Sequence, residues 1–284
     1  MAVSVSVVIP AYNSAAYVGV AIQSALDQTC PPAEIIVIDD GSIDDTAGEA
    51  SRYPVSVIRQ RNGGPGAARN TGIRAASGEW IALLDADDFW VPENLERQVG
   101  HLGDPTLGIV SSSMRWETGP VSLERLWEGN RVLTSCCLTR KEAIVEAGYF
   151  DEDRALISVE DYNLWLRIAA KGWSIRTVHE DLYHYNPAPG NLSSQTERMA
   201  GAEMVNIDKI AALLGYPPAV VKRKRAEVCA AYASDALYLR NKTLGRKLSL
   251  QSLSNRFSAG ALSCFAFCCI PDFVLNAKRN LDST

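Results

Sequence analysis

Residues 78–92 read GEWIALLDADDFWVP, and they indicate the fold class more directly than any other segment. The apolar run Trp80–Leu84 has the composition of a buried strand, and Asp85, Asp87 and Asp88 follow it directly. Like charges at this spacing repel and raise one another's pKa. A divalent cation such as Mg²⁺ or Mn²⁺ would relieve the repulsion, because it binds one or two carboxylates and leaves positions for phosphate oxygens. A solvated acidic turn before a helix is the alternative interpretation.

Strand and helix patterns alternate through about the first hundred residues, which predicts a parallel sheet with helices on both faces. The predicted strands are Val3–Ile9, Glu34–Ile38, Val55–Arg59 and Trp80–Leu84, and the longer predicted helices are Ala15–Gln28 and Gly66–Ala76. In such sheets, ligands bind beyond the carboxyl ends of the strands. We therefore expect the polar residues at three strand ends to converge on one crevice. These residues are Tyr12-Asn13, Asp39-Asp40 and the aspartates of residues 85–88.

Composition excludes several classes of protein. The chain has 284 residues, of which 47% are hydrophobic and 21% are charged, so it can form one large globular domain or a domain with an appendage. The net charge of −5 gives no indication of a nucleic-acid partner. Seven cysteines without a CxxC pair predict neither a disulfide framework nor a zinc site, and they fit a reducing, cytoplasmic setting. No signal peptide is predicted, because Pro10 ends the first apolar run early.

The second half of the chain has a mixed pattern and then a helical one. Strands are predicted near Gly108–Ser112 and Val132–Thr139, a mobile loop at Tyr185–Ser194, and helices at Lys141–Ala147, Glu160–Lys171, Glu197–Leu214 and Pro218–Tyr238. The apolar run Ala259–Ile270 is too short to span a bilayer, so we expect a packing or interfacial helix there. The basic row Lys222–Arg225 fits either an anionic surface, such as a membrane, or a solvated helix face.

Four motifs, in order, resemble those of family-2 glycosyltransferases with the GT-A fold. They are SVVIPAYN (6–13), EIIVIDDGSIDDT (34–46), NGGPGAARNTGIRAASGEWIALLDADD (62–88) and VEDYNLWLRIAAKG (159–172), and the resemblance covers about residues 3–185. It implies an α/β, Rossmann-like fold with a mostly parallel central sheet flanked by helices. On this basis, residues 1–200 are predicted to form the glycosyltransferase domain, with the nucleotide-sugar half at about 1–100 and the acceptor half at about 101–200. Residues 201–284 are predicted to form a C-terminal helical region.

The resemblance implies a cation site and a nucleotide site. Asp87 matches the direct ligand of Mg²⁺ or Mn²⁺, with Asp88 beside it in support, and His184 is a candidate for an additional metal or diphosphate contact. Pro10, Ala11 and Tyr12 resemble the segment that lines the nucleotide base, and Asp40 matches the residue that accepts the uracil imide N–H. Asp85 would contact the ribose or a metal-bound water, and Arg69 would contact the diphosphate.

The pair Glu160-Asp161 opens a predicted helix whose first turn can present a carboxylate to the crevice. By resemblance, Asp161 is the catalytic base that takes the proton of the acceptor hydroxyl, and Glu160 lies beside it on the acceptor side. An acidic first turn favoured by the helix dipole is the alternative interpretation for this pair.

These observations predict an inverting, metal-dependent transferase that moves a sugar from a nucleotide-diphosphate sugar, a UDP-sugar foremost, to a hydroxyl acceptor in polysaccharide or glycan biosynthesis. The expected acceptor is a carbohydrate or a lipid-linked glycan at the inner face of the membrane, with peripheral attachment through the C-terminal tail. A sugar nucleotidylyltransferase is the rival enzyme class, although PAYN at residues 10–13 replaces the phosphate loop such an enzyme needs. A non-catalytic, carbohydrate-binding pseudo-transferase is the rival outside enzymes.

Overall fold

A computed structural model describes residues 3–186 and 195–270 of the chain. It divides into two compact units, Met1–Asn191 and Leu192–Thr284. Most of the loop predicted at Tyr185–Ser194 lies outside the described residues.

The first unit alternates strands and helices. Its strands are β1 (Val5–Ala11), β2 (Glu34–Asp39), β3 (Ser56–Arg59), β4 (Trp80–Leu83), β5 (Phe89–Trp90), β6 (Leu107–Ser112), β7 (Gly119–Val121), β8 (Cys137–Arg140), β9 (Ser174–Val178) and β10 (Tyr183–His184). Its helices are α1 (Val18–Leu26), α2 (Thr46–Ala50), α3 (Pro65–Ala75), α4 (Asn94–Val99), α5 (Leu123–Glu128), α6 (Lys141–Glu146) and α7 (Glu160–Ala170).

Eight of the strands form one sheet in the order β3-β2-β1-β4-β8-β6-β9-β7. The first four are mutually parallel, with β1 between β2 and β4. The prediction of a parallel sheet flanked by helices is therefore confirmed for the first hundred residues. Since all four strands run the same way, their carboxyl ends lie at one edge, where ligands bind in folds of this kind.

The central strand β1 is buried along most of its length, as its β-branched run predicts. Pro10 is tolerated near its end because the pairing of β1 with β4 stops at Val8 and Leu83, so no ladder hydrogen bond from Pro10 to β4 is needed. On one face, Gly72 of α3 packs directly over Val8, and a Cβ at that position would lie 2.4 Å from Val8 Cγ1. The absence of a side chain at Gly72 lets α3 approach the sheet closely.

The sheet becomes mixed beyond β4. Strand β8 is antiparallel to both β4 and β6, whereas β6 and β9 are parallel. The segment predicted as one strand at Val132–Thr139 instead forms a short 3₁₀ helix at Thr134–Cys136 before β8 begins. This turn holds Thr134 and Ser135 above the end of β4, where Ser135 Oγ accepts a hydrogen bond from the Asp85 N–H at 3.2 Å.

The second unit contains four helices among its described residues: α8 (Thr196–Leu214), α9 (Pro218–Tyr238), α10 (Lys242–Asn255) and α11 (Ala259–Cys269). Gly215 ends α8 in the left-handed conformation, with φ of 67°, and Pro217 and Pro218 begin α9 directly after it. Small side chains fill the core between these helices: Ala200, Ala233, Ala236, Cys264 and Cys268, together with Leu244 and Leu248. Across the described residues, no helix combines the length and apolar character needed to cross a membrane.

Candidate active site

Three aspartates lie at the end of β4, as the sequence predicts. Asp88 is buried, with 4% of its surface exposed, while Asp85 and Asp87 are half-buried. The Asp88 N–H donates to the Asp85 carbonyl at 3.1 Å, so the chain turns sharply and brings the carboxylates together. Asp88 Oδ1 accepts a hydrogen bond from the Asn186 N–H at 3.1 Å, which ties the segment after β10 to this turn.

Burial raises the pKa of Asp88 to about 7, and the charges of Asp85 and Asp87 add to the increase. A bound cation would reverse both effects, because it attracts the ionised form that burial and the neighbouring carboxylates disfavour. Within the described ranges, no set of three or more His, Cys, Asp or Glu side chains is arranged to hold a metal ion. The carboxylates after β4 are hard oxygen donors, and an ion such as Mg²⁺ or Mn²⁺ would take one or two of them and fill its other positions from a phosphate-bearing ligand and water.

Arg69 connects the end of β4 to the start of α7. Its Nη2 donates to Asp85 Oδ1 at 2.7 Å and its Nη1 donates to Glu160 Oε1 at 2.6 Å. The guanidinium lies over the ring of Phe150, 5.4 Å from the ring centroid, and only 5% of the residue is exposed. Its Nε has no hydrogen-bond partner among the described residues. Both terminal nitrogens contact carboxylates, so the diphosphate contact expected of Arg69 stays a prediction.

Asp161 is the second residue of α7 and directly follows Glu160, the partner of Arg69. Its Oδ2 accepts a hydrogen bond from Thr134 Oγ1 at 2.6 Å, and its Oδ1 accepts one from the Tyr162 N–H at 2.6 Å. Burial raises the pKa of Asp161 to about 6, and the charge of Glu160 contributes in the same direction. The hydrogen bond from Thr134 and the charge of Arg69 act in the opposite direction. A carboxylate with a pKa near neutral is suited to proton transfer at physiological pH.

Asp40, at the end of β2, holds the glycine-rich loop before α3. Its Oδ1 accepts hydrogen bonds from the Gly63 N–H at 2.8 Å and from Gln60 Nε2 at 2.7 Å, and its Oδ2 accepts one from the Gly64 N–H at 2.8 Å. Asp39 accepts from the Ser42 N–H at 2.9 Å and forms an ion pair with Arg59 at 3.1 Å, so it braces the turn.

The same loop lies against the segment that leads into α7. A Cβ at Gly66 would be 3.6 Å from Glu160 Cγ, and one at Gly64 would be 3.3 Å from Ile157 Cδ1. Arg154 Nη2 donates to the Asn62 carbonyl at 3.0 Å and to Asn62 Oδ1 at 2.9 Å. The structure therefore brings Asp40, Arg69, the β4 aspartates and the Glu160-Asp161 pair around one site.

The predicted base-lining residues occupy the end of β1. Pro10 and Ala11 are still in the strand, where they pair with Ile38 and Asp39, and the Tyr12 that follows is 51% exposed. Asn13 adopts a positive φ of 51° and its Oδ1 accepts a hydrogen bond from the Ile43 N–H at 2.9 Å. The loops after β1 and β2 are thus joined by a hydrogen bond.

His184 is exposed and lies on β10, directly opposite Phe89 of β5. The two rings are 4.8 Å apart. This pairing puts His184 near Asp88, the residue before Phe89. Its role as a metal or diphosphate ligand stays a prediction.

Several contacts of the site have no signal in the sequence. Thr134 hydrogen-bonds to Asp161, Ser135 to the Asp85 backbone, and Gln60 to Asp40. These are ordinary polar residues outside the recognisable motifs. The sequence predicts residues 134–135 to lie inside a strand at Val132–Thr139, and nothing in the sequence indicates that this segment lies beside β4.

The sequence of the chain is similar to those of known glycosyltransferases. The model of Glycosyl transferase family 2 matches residues 6–148, half of the chain. The UDP-Glc:alpha-D-GlcNAc-diphosphoundecaprenol beta-1,3-glucosyltransferase WfaP of Escherichia coli is 30% identical over 200 residues, which cover 67% of this chain and 80% of WfaP. An uncharacterized glycosyltransferase of Rickettsia felis is 33% identical over 225 residues, covering 68% of this chain. The chain spans only 36% of that relative's length.

The fold has a counterpart among solved structures. The mannosyltransferase PcManGT from Pyrobaculum calidifontis, in complex with GDP-Man and Mn²⁺, has a TM-score of 0.60 over 93% of this chain and 84% of that chain. The two sequences are 20% identical, so this likeness concerns the GT-A fold alone.

Proposed function

The chain belongs to glycosyl transferase family 2, and we propose that it transfers a sugar from a UDP-sugar to an acceptor hydroxyl with inversion, assisted by a divalent cation. The observation that carries this proposal is the Arg69 bridge. The guanidinium of Arg69 contacts Asp85, which follows β4, and Glu160, which begins α7. The carboxylates at these two element ends therefore border the same site. A donor held at the first and an acceptor activated at the second would meet there. Catalysis is assigned to residues 1–200.

Asp161 is the base in this proposal. As the acceptor oxygen attacks the anomeric carbon, the bond from that carbon to the diphosphate oxygen breaks and the nucleoside diphosphate leaves. Asp161 takes the hydroxyl proton; hydrogen bonds from Thr134 and the Tyr162 N–H orient its carboxylate, and the charge of Arg69 favours the ionised form. Since the base and the leaving group act on opposite faces of the sugar ring, one such displacement inverts the anomeric centre. Glu160 holds Arg69 on one side and borders the acceptor on the other.

A divalent ion, Mn²⁺ or Mg²⁺, would be held by Asp87, with Asp88 in support. Its chemistry would be to stabilise the negative charge on the leaving diphosphate, an effect of several kcal/mol. The raised pKa of Asp88 supports this assignment, since a cation favours the ionised carboxylate there. Asp85 would contact the ribose, and Arg69 fixes the position of its carboxylate.

The nucleotide base would lie between Tyr12 and Asp40. An ionised carboxylate has about four acceptor positions, and the hydrogen bonds from Gln60, Gly63 and Gly64 use three of those of Asp40. One position therefore remains for an imide N–H, which is the group that uracil presents. The name of WfaP gives UDP-Glc as its donor, whereas PcManGT was solved with GDP-Man, so the base is a point for experiment.

The acceptor is proposed to be a carbohydrate or a lipid-linked glycan. WfaP carries a diphosphoundecaprenol-linked acceptor in its name, and a lipid-linked acceptor for this chain would be met at the cytoplasmic membrane surface. Peripheral attachment to that surface forms part of the proposal.

The products of the reaction test this proposal against its rivals. We expect release of nucleoside diphosphate from a UDP-sugar in the presence of Mn²⁺ and acceptor. We expect no release of pyrophosphate from UTP and a sugar 1-phosphate, the substrates from which a nucleotidylyltransferase would release it. A thermal-shift series with UDP, GDP and their sugar conjugates, with and without Mn²⁺, shows which nucleotide base the protein prefers and whether Mn²⁺ strengthens binding, because stabilisation follows occupancy.

Asp87→Asn should keep the nucleotide-dependent shift and lose the Mn²⁺-dependent increment. Donor binding with no turnover for any acceptor would favour a carbohydrate-binding pseudo-transferase instead.

Asp161→Asn tests the base directly. The amide has the same size, its oxygen can accept from the Tyr162 N–H, and its NH₂ group can donate to Thr134 Oγ1. We therefore expect the fold and donor binding to persist while kcat falls by about 10²–10⁴-fold. Unchanged transfer by a folded Asp161→Asn variant would contradict the assignment. Thermal shift with the donor serves as the control for folding and binding.

A further inference from the structure

Helix α11 has two different faces. Ala261, Cys264 and Cys268 are buried and belong to the core of the second unit. On the other side, Leu262 is 47% exposed and Phe267 is 53% exposed. Phe257, just ahead of the helix, is 73% exposed. One face of α11 therefore packs in the core, as a packing helix would. The outward face carries large apolar side chains, as an interfacial helix would.

This outward face carries no charge. From Phe257 to Ile270 the chain reads FSAGALSCFAFCCI, without a single Asp, Glu, Lys or Arg. A helix face in contact with water is normally lined with charged and polar residues, so an apolar one indicates a surface that something else covers.

The surroundings of this face are basic. Between Leu239 and Ile270 the sequence has five basic residues and no acidic one, although the whole chain has a net charge of −5. Arg246 on α10 and Arg256 directly before Phe257 are both exposed. Arg256 is the immediate sequence neighbour of the exposed Phe257, and Arg246 is close enough to Cys268 of α11 for its charge to act there. Exposed basic residues around an apolar face fit a membrane surface, where an apolar layer lies below anionic headgroups.

The basic row of α9 does not supply this surface. Lys224 is 4% exposed, Arg225 forms an ion pair with Asp208, and Arg223 lies 3.8 Å from Glu227. Lys224 is thus buried, and Arg223 and Arg225 pair with acids of the second unit, so α11 is the element that indicates an anionic partner; an anionic surface for the row Lys222–Arg225 stays a prediction.

We propose that the outward face of α11, together with Phe257, lies in the interfacial layer of an anionic lipid membrane, with Arg246 and Arg256 at the headgroups. The helix has 11 residues, so it would lie in the plane of the bilayer rather than cross it. A second copy of the chain is the less favoured occupant. A two-fold interface brings the same patch of both copies together, and the arginines would then face arginines.

Co-sedimentation of the full chain with vesicles tests this proposal. We expect binding to vesicles of phosphatidylglycerol and phosphatidylcholine, weak binding to phosphatidylcholine alone, and release at high salt. Leu262→Glu combined with Phe267→Glu should reduce binding at least about tenfold, since two charges would enter the apolar layer. Arg246→Ala and Arg256→Ala should each reduce it about fivefold, because a basic residue near an anionic surface contributes about 1 kcal/mol.

Leu213→Glu is the matched control. Leu213 is 58% exposed on α8 of the same unit, so its replacement adds one negative charge, as each substitution of the double variant does, at a similar exposure away from α11. The control should bind vesicles as the unmodified protein does, and circular dichroism should show equal helix content in all variants. The measurement uses protein and lipid only, so its outcome does not depend on the proposed transfer activity.

Three outcomes would overturn the proposal: no binding of the unmodified chain, equal loss in Leu213→Glu, or retained binding in the double variant. Sedimentation velocity adds a further one. A concentration-dependent dimer that the double variant abolishes, without any vesicle binding, would assign the face to a second copy of the chain.

Discussion

The carboxylate of Asp161 has neighbours that shift its pKa in opposite directions. Burial and Glu160 raise the pKa, whereas the hydrogen bond from Thr134 and the charge of Arg69 lower it. A proposed base must be ionised to act, so the acid limb of the pH profile of kcat/KM reports this pKa in the free enzyme. Each neighbour can therefore be tested by the direction in which its removal moves that limb.

Thr134→Val removes the hydroxyl that donates to Asp161 Oδ2. A hydrogen bond to the charged form favours that form, so its loss should raise the pKa of Asp161 and move the acid limb to higher pH by about one unit. Thr134→Ser keeps the hydroxyl and should keep the profile. If both variants lowered kcat/KM equally at every pH, Thr134 would have only a structural role.

Glu160→Gln should move the same limb the other way. The change removes a negative charge that raises the pKa of Asp161, so activity should persist to lower pH. It also removes one ionic partner of Arg69, and we expect a lower free energy of unfolding, by about 1–3 kcal/mol. A pH profile that moves upward, or a fully inactive but folded variant, would show that Glu160 acts on the reaction by another route.

At the scale of the elements, α3 positions the site through its close contact with the sheet. Gly72 faces Val8 of β1 and Ile38 of β2, and the helix carries Arg69 three residues earlier, almost one turn away. Any movement of α3 away from β1 would shift Arg69 relative to Asp85. The glycine is therefore a packing residue with a consequence for the geometry of the site.

Gly72→Ala should destabilise the first unit. Alanine usually favours a helix interior by about 1 kcal/mol over glycine, but here its Cβ would meet Val8 Cγ1 at 2.4 Å in a fully buried contact. Overpacking of this kind costs about 1–3 kcal/mol, so we expect a net loss of roughly 1 kcal/mol in urea unfolding.

Gly201→Ala is the matched substitution in α8, where a Cβ would meet nothing within 4 Å. It should be neutral or stabilising by up to about 1 kcal/mol. Equal effects of the two substitutions would show that the contact with Val8 relaxes without cost.

At the scale of the whole molecule, the sequence predicts the parallel half of the sheet well and the connections across it poorly. Apolar runs and acidic strand ends are local patterns, so β1 to β4 and the position of Asp85, Asp87 and Asp88 follow from them. The partner of Arg69 does not, because Glu160 lies 91 residues further along the chain. Glu160 contacts Arg69 from the start of α7, and no local pattern near either residue indicates this pairing.

The same limit applies to the C-terminal helices. The row Lys222–Arg225 is conspicuous in the sequence, yet Lys224 is buried, Arg223 pairs with Glu227 one turn along α9, and Arg225 pairs with Asp208 of α8. Helix α10 lies within the C-terminal helical region predicted for residues 201–284, but the sequence gives it no bounds of its own, since its stripe of Leu244, Leu248 and Ser252 is diluted by polar residues. Which face of α11 is covered depends on the packing of α9 and α10, and this is a property of the assembled unit.

The pH dependence of folding also belongs to the whole molecule, and Asp88 should make a visible contribution to it. Its pKa is about 7 in the folded protein, against an ordinary value of 3.8, so the folded state binds more protons than the unfolded state between these values. The free energy of unfolding of the metal-free protein should therefore fall as pH rises from about 4 to 7. Asp88→Asn removes this contribution, because the amide does not titrate and can still accept from the Asn186 N–H. Thermal unfolding in EDTA should show the variant more stable than the unmodified protein at pH 8, with little difference at pH 4. Added Mn²⁺ should then raise the midpoint of the unmodified protein more than that of the variant, because only the carboxylate attracts the ion. Parallel pH curves for the two proteins in EDTA would mean that the Asp88 carboxylate is ionised without penalty, and the repulsion that the cation is proposed to relieve would not exist.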